Sequence, residues 1–183
     1  DHCPVCNAEV QRLPQEAVTR CVGTACPAQL VEGLLHFASR GAMDIEGMGP
    51  AIIGQLVDTG LVKDPSDIYF LSREKLRDLP RMGEKSIENL MTAIDASKTR
   101  PLARVIFALG IRLVGEAAAR ELAAHFGSME RFTQASREEL QGVPLIGEKI
   151  ADSITTFLEE PQNRRVIGRL AEAGVTMSEA NKK

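Results

Sequence analysis

Apolar residues recur at helical spacing along almost all of the chain after residue 28. Spacings of three and four residues mark the buried face of a helix, and no run of any length alternates with the period of a strand. The pattern therefore predicts an all-α fold. The apolar stripes are Leu30, Leu34, Leu35, Phe37 and Ala38; Ile52, Ile53, Leu56 and Val57; Ile87, Leu90, Met91 and Ile94; Leu102, Val105, Ile106 and Leu109; Leu122 and Phe126; and Ile150, Ile154, Phe157 and Leu158.

A short turn with one sequence pattern separates successive stripes four times. In each turn an apolar residue precedes a glycine, and a helical stripe follows. The hairpins lie near residues 46–49, 80–83, 112–115 and 144–147, and their final glycines are Gly49, Gly83, Gly115 and Gly147. A period of about 32 residues is typical of a tandem array of one supersecondary unit, so we predict four helix-hairpin-helix units.

Local signals predict several helix ends within this array. Pro50 suits the first position of the helix after the first hairpin. Ser72 is expected to cap a helix that runs to about Leu79. Ser136, with Glu139 three residues later, forms a capping-box pattern before the fourth hairpin.

All four cysteines lie before the array, and their spacing indicates a metal site. They are arranged as Cys3-x2-Cys6 and Cys21-x4-Cys26. Two short pairs can deliver four thiolates to one tetrahedral Zn²⁺, and a site closed by four cysteines is structural rather than catalytic. Two disulfides in a secreted miniprotein are the alternative. His2 is interpreted as a bystander.

Composition adds limits to this picture. The 183 residues are 44% hydrophobic and 26% charged. These fractions are those of an ordinary globular protein. No apolar run is long enough to span a membrane and no signal peptide pattern is present, so we expect a soluble intracellular protein. The net charge of −3 argues against wholesale electrostatic capture of a polyanion.

The positive charge is concentrated around the second hairpin. Residues 71–104 carry eight basic side chains against five acidic ones, which leaves the rest of the chain at −6. The basic residues are Arg73, Lys75, Arg77, Arg81, Lys85, Lys98, Arg100 and Arg104.

The hairpins offer a way for an acidic chain to bind phosphate. A glycine ahead of a helix removes the Cβ that would keep another backbone at a distance. The amides of the first helical turn have no partner within the helix and lie at the positive end of its dipole. Such a site accepts a phosphate oxygen without a cationic side chain and reads no bases. For any single glycine, a tight turn or C-cap without a ligand is the alternative.

The chain resembles the C-terminal half of the bacterial NAD-dependent DNA ligases. The resemblance covers essentially all 183 residues and is carried by the four-cysteine spacing together with HFASRGAMDIEGMG (36–49), LPRMGEKSIENL (79–90), FALGIRLVGE (107–116) and EEPQNRRVIGRLAEAGV (159–175). It implies a four-cysteine zinc finger over residues 1–28, a helix-hairpin-helix domain over 29–177 and a linker to a missing BRCT domain over 178–183. An oligonucleotide-binding (OB) barrel would precede the zinc finger, so the chain is expected to be a piece of a longer protein.

The resemblance also implies a role for the chain. In that family a lysine in a Lys-x-Asp-Gly motif takes AMP from NAD, with Mg²⁺, and none of the seven lysines here stands in that motif. The fragment is therefore expected to have no catalytic residue and to clamp nicked double-stranded DNA from the minor-groove side. It would be a cytoplasmic, nucleoid-associated bacterial monomer that contacts the missing OB and BRCT domains. The expected DNA contacts are Gly47, Gly49, Arg77, Arg81, Gly83, Lys85, Ser86, Arg112, Gly115, Gly147 and Lys149.

Three hairpins depart from the general pattern of this family. Arg81, Leu113 and Leu145 stand where the first glycine is usual, and only Gly47 keeps it. A bulky residue there favours packing over phosphate contact, so the third and fourth hairpins are expected to be the weaker contacts. Acidic residues directly after three hairpins also oppose a phosphate; they are Glu84, Glu116 and Glu148. Two other functions stay open, a nonenzymatic repair or junction-binding protein and a helical protein-interaction scaffold.

Overall fold

The computed structural model describes residues 1–179. Within these residues the fold is helical after a small N-terminal module, as the apolar periodicity predicts. The module contains one antiparallel pair of short strands, and the helical part also contains a 3-10 helix, Pro65–Phe70. The elements in chain order are β1 (Val10–Gln11), β2 (Arg20–Cys21), α1 (Leu30–Ala38), α2 (Pro50–Asp58), α3 (Arg73–Arg77), α4 (Glu84–Ser97), α5 (Leu102–Ala108), α6 (Glu116–Phe126), α7 (Met129–Thr133), α8 (Arg137–Gln141), α9 (Glu148–Glu159) and α10 (Pro161–Glu172).

The helices pair across the four predicted hairpins. Helix α1 packs on α2, α3 on α4, α5 on α6, and α8 on α9. One continuous apolar core joins all four units, and Phe37 and Phe132 are its largest completely buried side chains. Within the described residues, no helix is long and apolar enough to cross a membrane.

The local signals place the helix ends well. The Ser72 hydroxyl accepts the Lys75 amide, and Ser136 with Glu139 forms the capping box. The helix after Ser72 ends at Arg77, two residues before the predicted Leu79, because a 3-10 type bond then turns the chain into the hairpin. The pattern missed α7 and the strand pair, because elements of five and two residues are too short to show a period.

Part of the basic excess around the second hairpin is used inside the protein. The Arg100 Nε donates to the Met43 carbonyl at 2.9 Å and its Nη2 to the Asp44 carbonyl at 3.0 Å. The Arg104 Nε donates to the Ala42 carbonyl at 2.7 Å. Together these arginines hold the loop that enters the first hairpin, so they are structural residues in this fold.

The last described residues are tied to the helical array. Ser178 forms an antiparallel bridge with Ser128, and the Glu179 amide donates to the Gly127 carbonyl at 2.8 Å. The predicted linker over 178–183 thus begins with two residues that bond to the domain. Residues 180–183 lie outside the described residues.

Candidate metal centre and nucleic-acid interface

The four cysteine side chains converge on one point. Their sulfur atoms all lie within 4.8 Å of one another, with Cys3 and Cys26 at 3.9 Å and Cys6 and Cys21 at 3.4 Å. Sulfurs about 2.3 Å from a tetrahedral Zn²⁺ would be about 3.8 Å apart, so this cluster fits a four-thiolate zinc site. All four are free cysteines. Their separations are well beyond a disulfide bond of about 2.05 Å, which excludes the disulfide alternative in this structure.

Backbone amides and burial act in opposite directions on these thiols. Backbone hydrogen bonds at Cys6 and Val5 lower the pKa of the Cys3 thiol to about 7, which favours the thiolate that a metal needs. Burial raises the pKa of the Cys21 and Cys26 thiols. Metal binding must therefore displace protons from the Cys21 and Cys26 thiols, and the cation compensates for the loss of water around the thiolates.

A buried asparagine fixes the cysteine module to the end of the helical array. Asn163 of α10 is completely buried. Its Oδ1 accepts from both the amide and the hydroxyl of Thr24, each at 2.8 Å, and its Nδ2 donates to the Val22 carbonyl at 2.8 Å and to the Phe157 carbonyl at 3.0 Å. One side chain thus satisfies four polar groups, three of them on the second cysteine knuckle.

Two charged residues extend this junction. The Glu160 carboxylate, 6% exposed, accepts the Glu9 amide at 2.9 Å. Arg112, predicted as a DNA contact, pairs with Glu16 of the module. The third hairpin is therefore anchored to the metal module through a side chain predicted to reach DNA.

The first position of all four hairpins has the same backbone conformation. Gly47, Arg81, Leu113 and Leu145 have φ angles of +85°, +63°, +69° and +70°. The turn is thus retained where a glycine is absent. The expected packing of the bulky residues is wrong for the two leucines, because Leu113 is 46% and Leu145 is 61% exposed. The apolar residue between them and the final glycine is the one that turns inward.

The final glycines stand at the N-caps of the second helices. Gly49, Gly83, Gly115 and Gly147 precede α2, α4, α6 and α9, and each has an extended backbone that any residue could adopt. A Cβ built at any of the four would meet no protein atom within 4 Å. The fold itself therefore gives no steric reason for glycine at these positions.

No side chain caps the amides of these four helices, although other helices in the chain are capped. Within the described residues, side-chain caps are supplied to the remaining elements by Asp64, Ser72, Ser128, Ser136 and Glu160, and α1 and α5 start without one. A serine or aspartate cap stabilises a helix by about 1 kcal/mol relative to alanine. The first-turn amides of the four hairpins are left open to solvent or a ligand.

The acidic residues after two hairpins are held by arginines. The Arg77 Nε donates to the Glu84 carboxylate at 2.8 Å, and this bond raises the pKa of the guanidinium. Arg137, which the sequence interpretation missed, bonds Glu148 at 3.2 Å and Asp152 at 2.7 Å. These pairs neutralise the charge that opposes a phosphate. They also mean that Arg77, a predicted DNA contact, is already in an ion pair.

The first two hairpins share one groove. An open groove of about 850 Å³ lies between them, and its lining includes Gly47, Arg81 and Ser86. Lys85 is exposed beside it. Four of the predicted contacts from two hairpins therefore lie on or next to one surface.

The third and fourth hairpins are also joined. The Ser153 hydroxyl of α9 donates to the Arg112 carbonyl at 2.7 Å. Ser153 lies six residues after Gly147, which is about 9 Å along the helix axis. Lys149, in the first turn of α9, is exposed. The third hairpin is thus bonded to the helix that begins at the fourth. Hairpins built in this way, together with a four-cysteine module, place the chain in the class of zinc-finger, helix-hairpin-helix proteins.

Family models match this organisation. Residues 2–28 match the NAD-dependent DNA ligase C4 zinc finger domain, residues 40–96 a SAM-like helix-hairpin-helix tandem and residues 104–167 a helix-hairpin-helix motif. The chain is 55% identical to the DNA ligase of Heliobacterium modesticaldum over 96% of its length, and 57% identical to that of Pelotomaculum thermopropionicum over 94%. The DNA ligase of a Thermoanaerobacter species is 50% identical over 100% of the chain.

The chain belongs to the family of NAD-dependent DNA ligases, of which it carries the zinc finger and the helix-hairpin-helix region. It spans only about a quarter of the length of these relatives, 26% for the first two.

Proposed function

We propose that this chain binds double-stranded DNA for an NAD-dependent DNA ligase and holds the duplex around a nick through sequence-independent phosphate contacts. The observation that carries the proposal is the set of four uncapped N-termini behind glycines. Each glycine leaves open space where a Cβ would lie, and nothing inside the described part of the protein requires that space. A phosphate oxygen approaching the first-turn amides would use it.

Basic and hydroxyl side chains lie beside the amides of α4, in a groove that is also lined by Asp44, Glu46 and Glu88. Arg81 and Lys85 add positive charge next to the amides of α4, and Ser86 adds a hydroxyl at the groove. Lys149 adds a charge to the first turn of α9. Arg77 and Arg112 would support the interface indirectly, by holding Glu84 and the metal module. The proposed contacts are Gly47, Gly49, Arg81, Gly83, Lys85, Ser86, Gly115, Gly147 and Lys149.

The chemistry of ligation would belong to other parts of the parent protein. The chain has no Lys-x-Asp-Gly motif, so it offers no nucleophile for AMP from NAD. We assign it a structural Zn²⁺ at Cys3, Cys6, Cys21 and Cys26, and NAD and Mg²⁺ to the catalytic part of the parent. The chain would act as a monomer joined to OB and BRCT domains.

Affinity for DNA is expected to be independent of base sequence and to fall as salt rises. Binding that neutralises phosphates releases counterions, with a slope of log K against log salt of about −0.9 per phosphate. Titrating the zinc-loaded chain with labelled nicked duplexes of two unrelated sequences, at several salt concentrations, measures both properties. Salt-independent affinity would exclude the phosphate contacts, and no binding at low salt would favour a protein-interaction scaffold.

Gly83→Val is expected to weaken DNA binding about tenfold or more while leaving the helices intact. Its extended backbone accepts valine and its Cβ meets no atom within 4 Å, so the new side chain blocks only the approach to the α4 amides. Circular dichroism and DNA titration measure the two effects. Gly168→Val is the matched control, since Gly168 is also exposed with open space at its Cβ but lies within α10. Unchanged binding of Gly83→Val would make the second hairpin purely structural.

A further inference from the structure

The two leucines at the first positions of the third and fourth hairpins combine two costs. Leu113 and Leu145 have φ angles of +69° and +70°. In this left-handed conformation the Cβ crowds the following carbonyl. Their side chains are 46% and 61% exposed, so they recover little of this cost by burial. Glycine adopts this conformation without strain, as Gly47 does in the first hairpin.

The fold does not account for leucine at these positions. A single exposed leucine is ordinary on a protein surface. Here two leucines occupy equivalent strained positions, while the inward-facing residues next to them, Val114 and Ile146, are 6% and 4% exposed and supply the packing. Backbone strain that is not offset by packing within the fold points to a function in contact with another molecule.

Their location defines what they would touch. Each leucine lies two residues before the glycine that opens the amides of α6 or α9. A duplex whose phosphates rest on those amides would bring its groove to the leucine side chains. Proteins that bind the minor groove commonly place apolar side chains such as leucine into it. The bond between Ser153 and the Arg112 carbonyl links the third hairpin to α9, the helix that begins at the fourth hairpin.

We propose that Leu113 and Leu145 bind the apolar deoxyribose walls of the DNA minor groove, between the phosphates held by the amides of the third and fourth hairpins. This proposal rests on the proposed DNA-binding function. It divides the array into two parts. The hairpin with Arg81 at the equivalent position adds a charge to its phosphate contact, and the hairpins with leucine add an apolar contact to theirs.

The test compares stability, affinity and salt dependence in Leu113→Gly, Leu145→Gly and the double variant. Thermal unfolding of each zinc-loaded variant should show a melting temperature equal to or above that of the unsubstituted chain, since strain is removed and little packing is lost. Affinity for a labelled nicked duplex should fall about fivefold for each substitution. This is the loss expected when binding no longer buries roughly half of a leucine side chain. The slope of log K against log salt should not change, because no phosphate contact is lost.

Two controls separate this role from general effects. Val31→Ala removes another exposed apolar side chain, 39% exposed at the start of α1, and should leave affinity unchanged. Lys149→Ala should lower both the affinity and the magnitude of the salt slope, because it removes a charge at the fourth hairpin.

Four other outcomes would each contradict either the role of the leucines or the proposed function. If the unsubstituted chain binds DNA and the leucine variants bind it equally well, the leucines are not contacts, while the proposed function stands. If affinity and melting temperature both fall, the leucines act through the fold, and the proposal is wrong. A change of oligomeric state in the variants during sedimentation would assign the leucines to self-association. If the unsubstituted chain does not bind DNA at all, the proposed function itself fails.

Discussion

Removing the metal from the four-cysteine site is expected to unfold residues 1–28 while the helices of residues 29–177 stay folded. The module has one two-residue strand pair and few buried side chains of its own. Metal binding must therefore supply most of its folding free energy, on the order of 10 kcal/mol at neutral pH. The helical array has an independent apolar core and needs no metal.

Amide spectra of the chain before and after chelation measure this directly. The signals of residues 1–28 should collapse to unfolded positions, and those of α4, which packs on α3 and the 3-10 helix, should not move. Adding Zn²⁺ back is the control and should restore the spectrum. Dispersed amide signals for residues 1–28 after complete removal of the metal would contradict the prediction and would assign their stability to docking on α10.

Asn163→Leu is expected to destabilise the chain by about 3–5 kcal/mol. The substitution keeps the branching of the side chain but enlarges it, removes four hydrogen bonds and leaves the Thr24 amide and the Val22 carbonyl buried or half-buried without this partner. Each such group costs about 1–3 kcal/mol. For a chain of this length the melting temperature should fall by about 10 °C.

Thermal unfolding and zinc competition together test this role. The four cysteines are unchanged, so the variant should still bind one Zn²⁺, and the loss should appear in stability and in the amide signals of the second knuckle. Asn89→Leu, on the exposed face of α4, is the matched control. A surface substitution of this kind should change stability by less than about 0.5 kcal/mol. A melting temperature of Asn163→Leu equal to that of the control would show that the junction contributes nothing to stability.

The features that sequence alone predicts here are local. The cysteine pairs and the capping box at Ser136 each depend on residues a few positions apart, and the periodic glycines repeat one short turn; the structure places them as predicted. Glycine periodicity also located the hairpins, although it could not show that the left-handed residue lies two positions before each periodic glycine, at Leu113 and Leu145 in the last two hairpins. The intrinsic preference of leucine disfavours the left-handed conformation, and the packing of the surrounding helices overrides that preference.

The junctions between distant segments could not be predicted in this way. Asn163 and Thr24 are 139 residues apart, and Arg112 and Glu16 are 96 apart. No local pattern links such partners, because an asparagine in an amphipathic helix has the same sequence signature whether it faces solvent or a buried carbonyl. For the same reason sequence predicts Arg112 as a DNA contact, while its guanidinium lies against the metal module.

The zinc finger is synthesised before the helix on which it docks. Its knuckles leave the ribosome before the helix that carries Glu160 and Asn163, and Asn163 follows Thr24 by 139 residues. At about 5–20 residues per second, the finger waits roughly 7–28 s for its docking partner. During that interval the metal alone can keep the knuckles folded and the thiols protected from oxidation. Zinc supply during translation would therefore limit the yield of correctly assembled protein, even where the finished molecule holds its metal tightly.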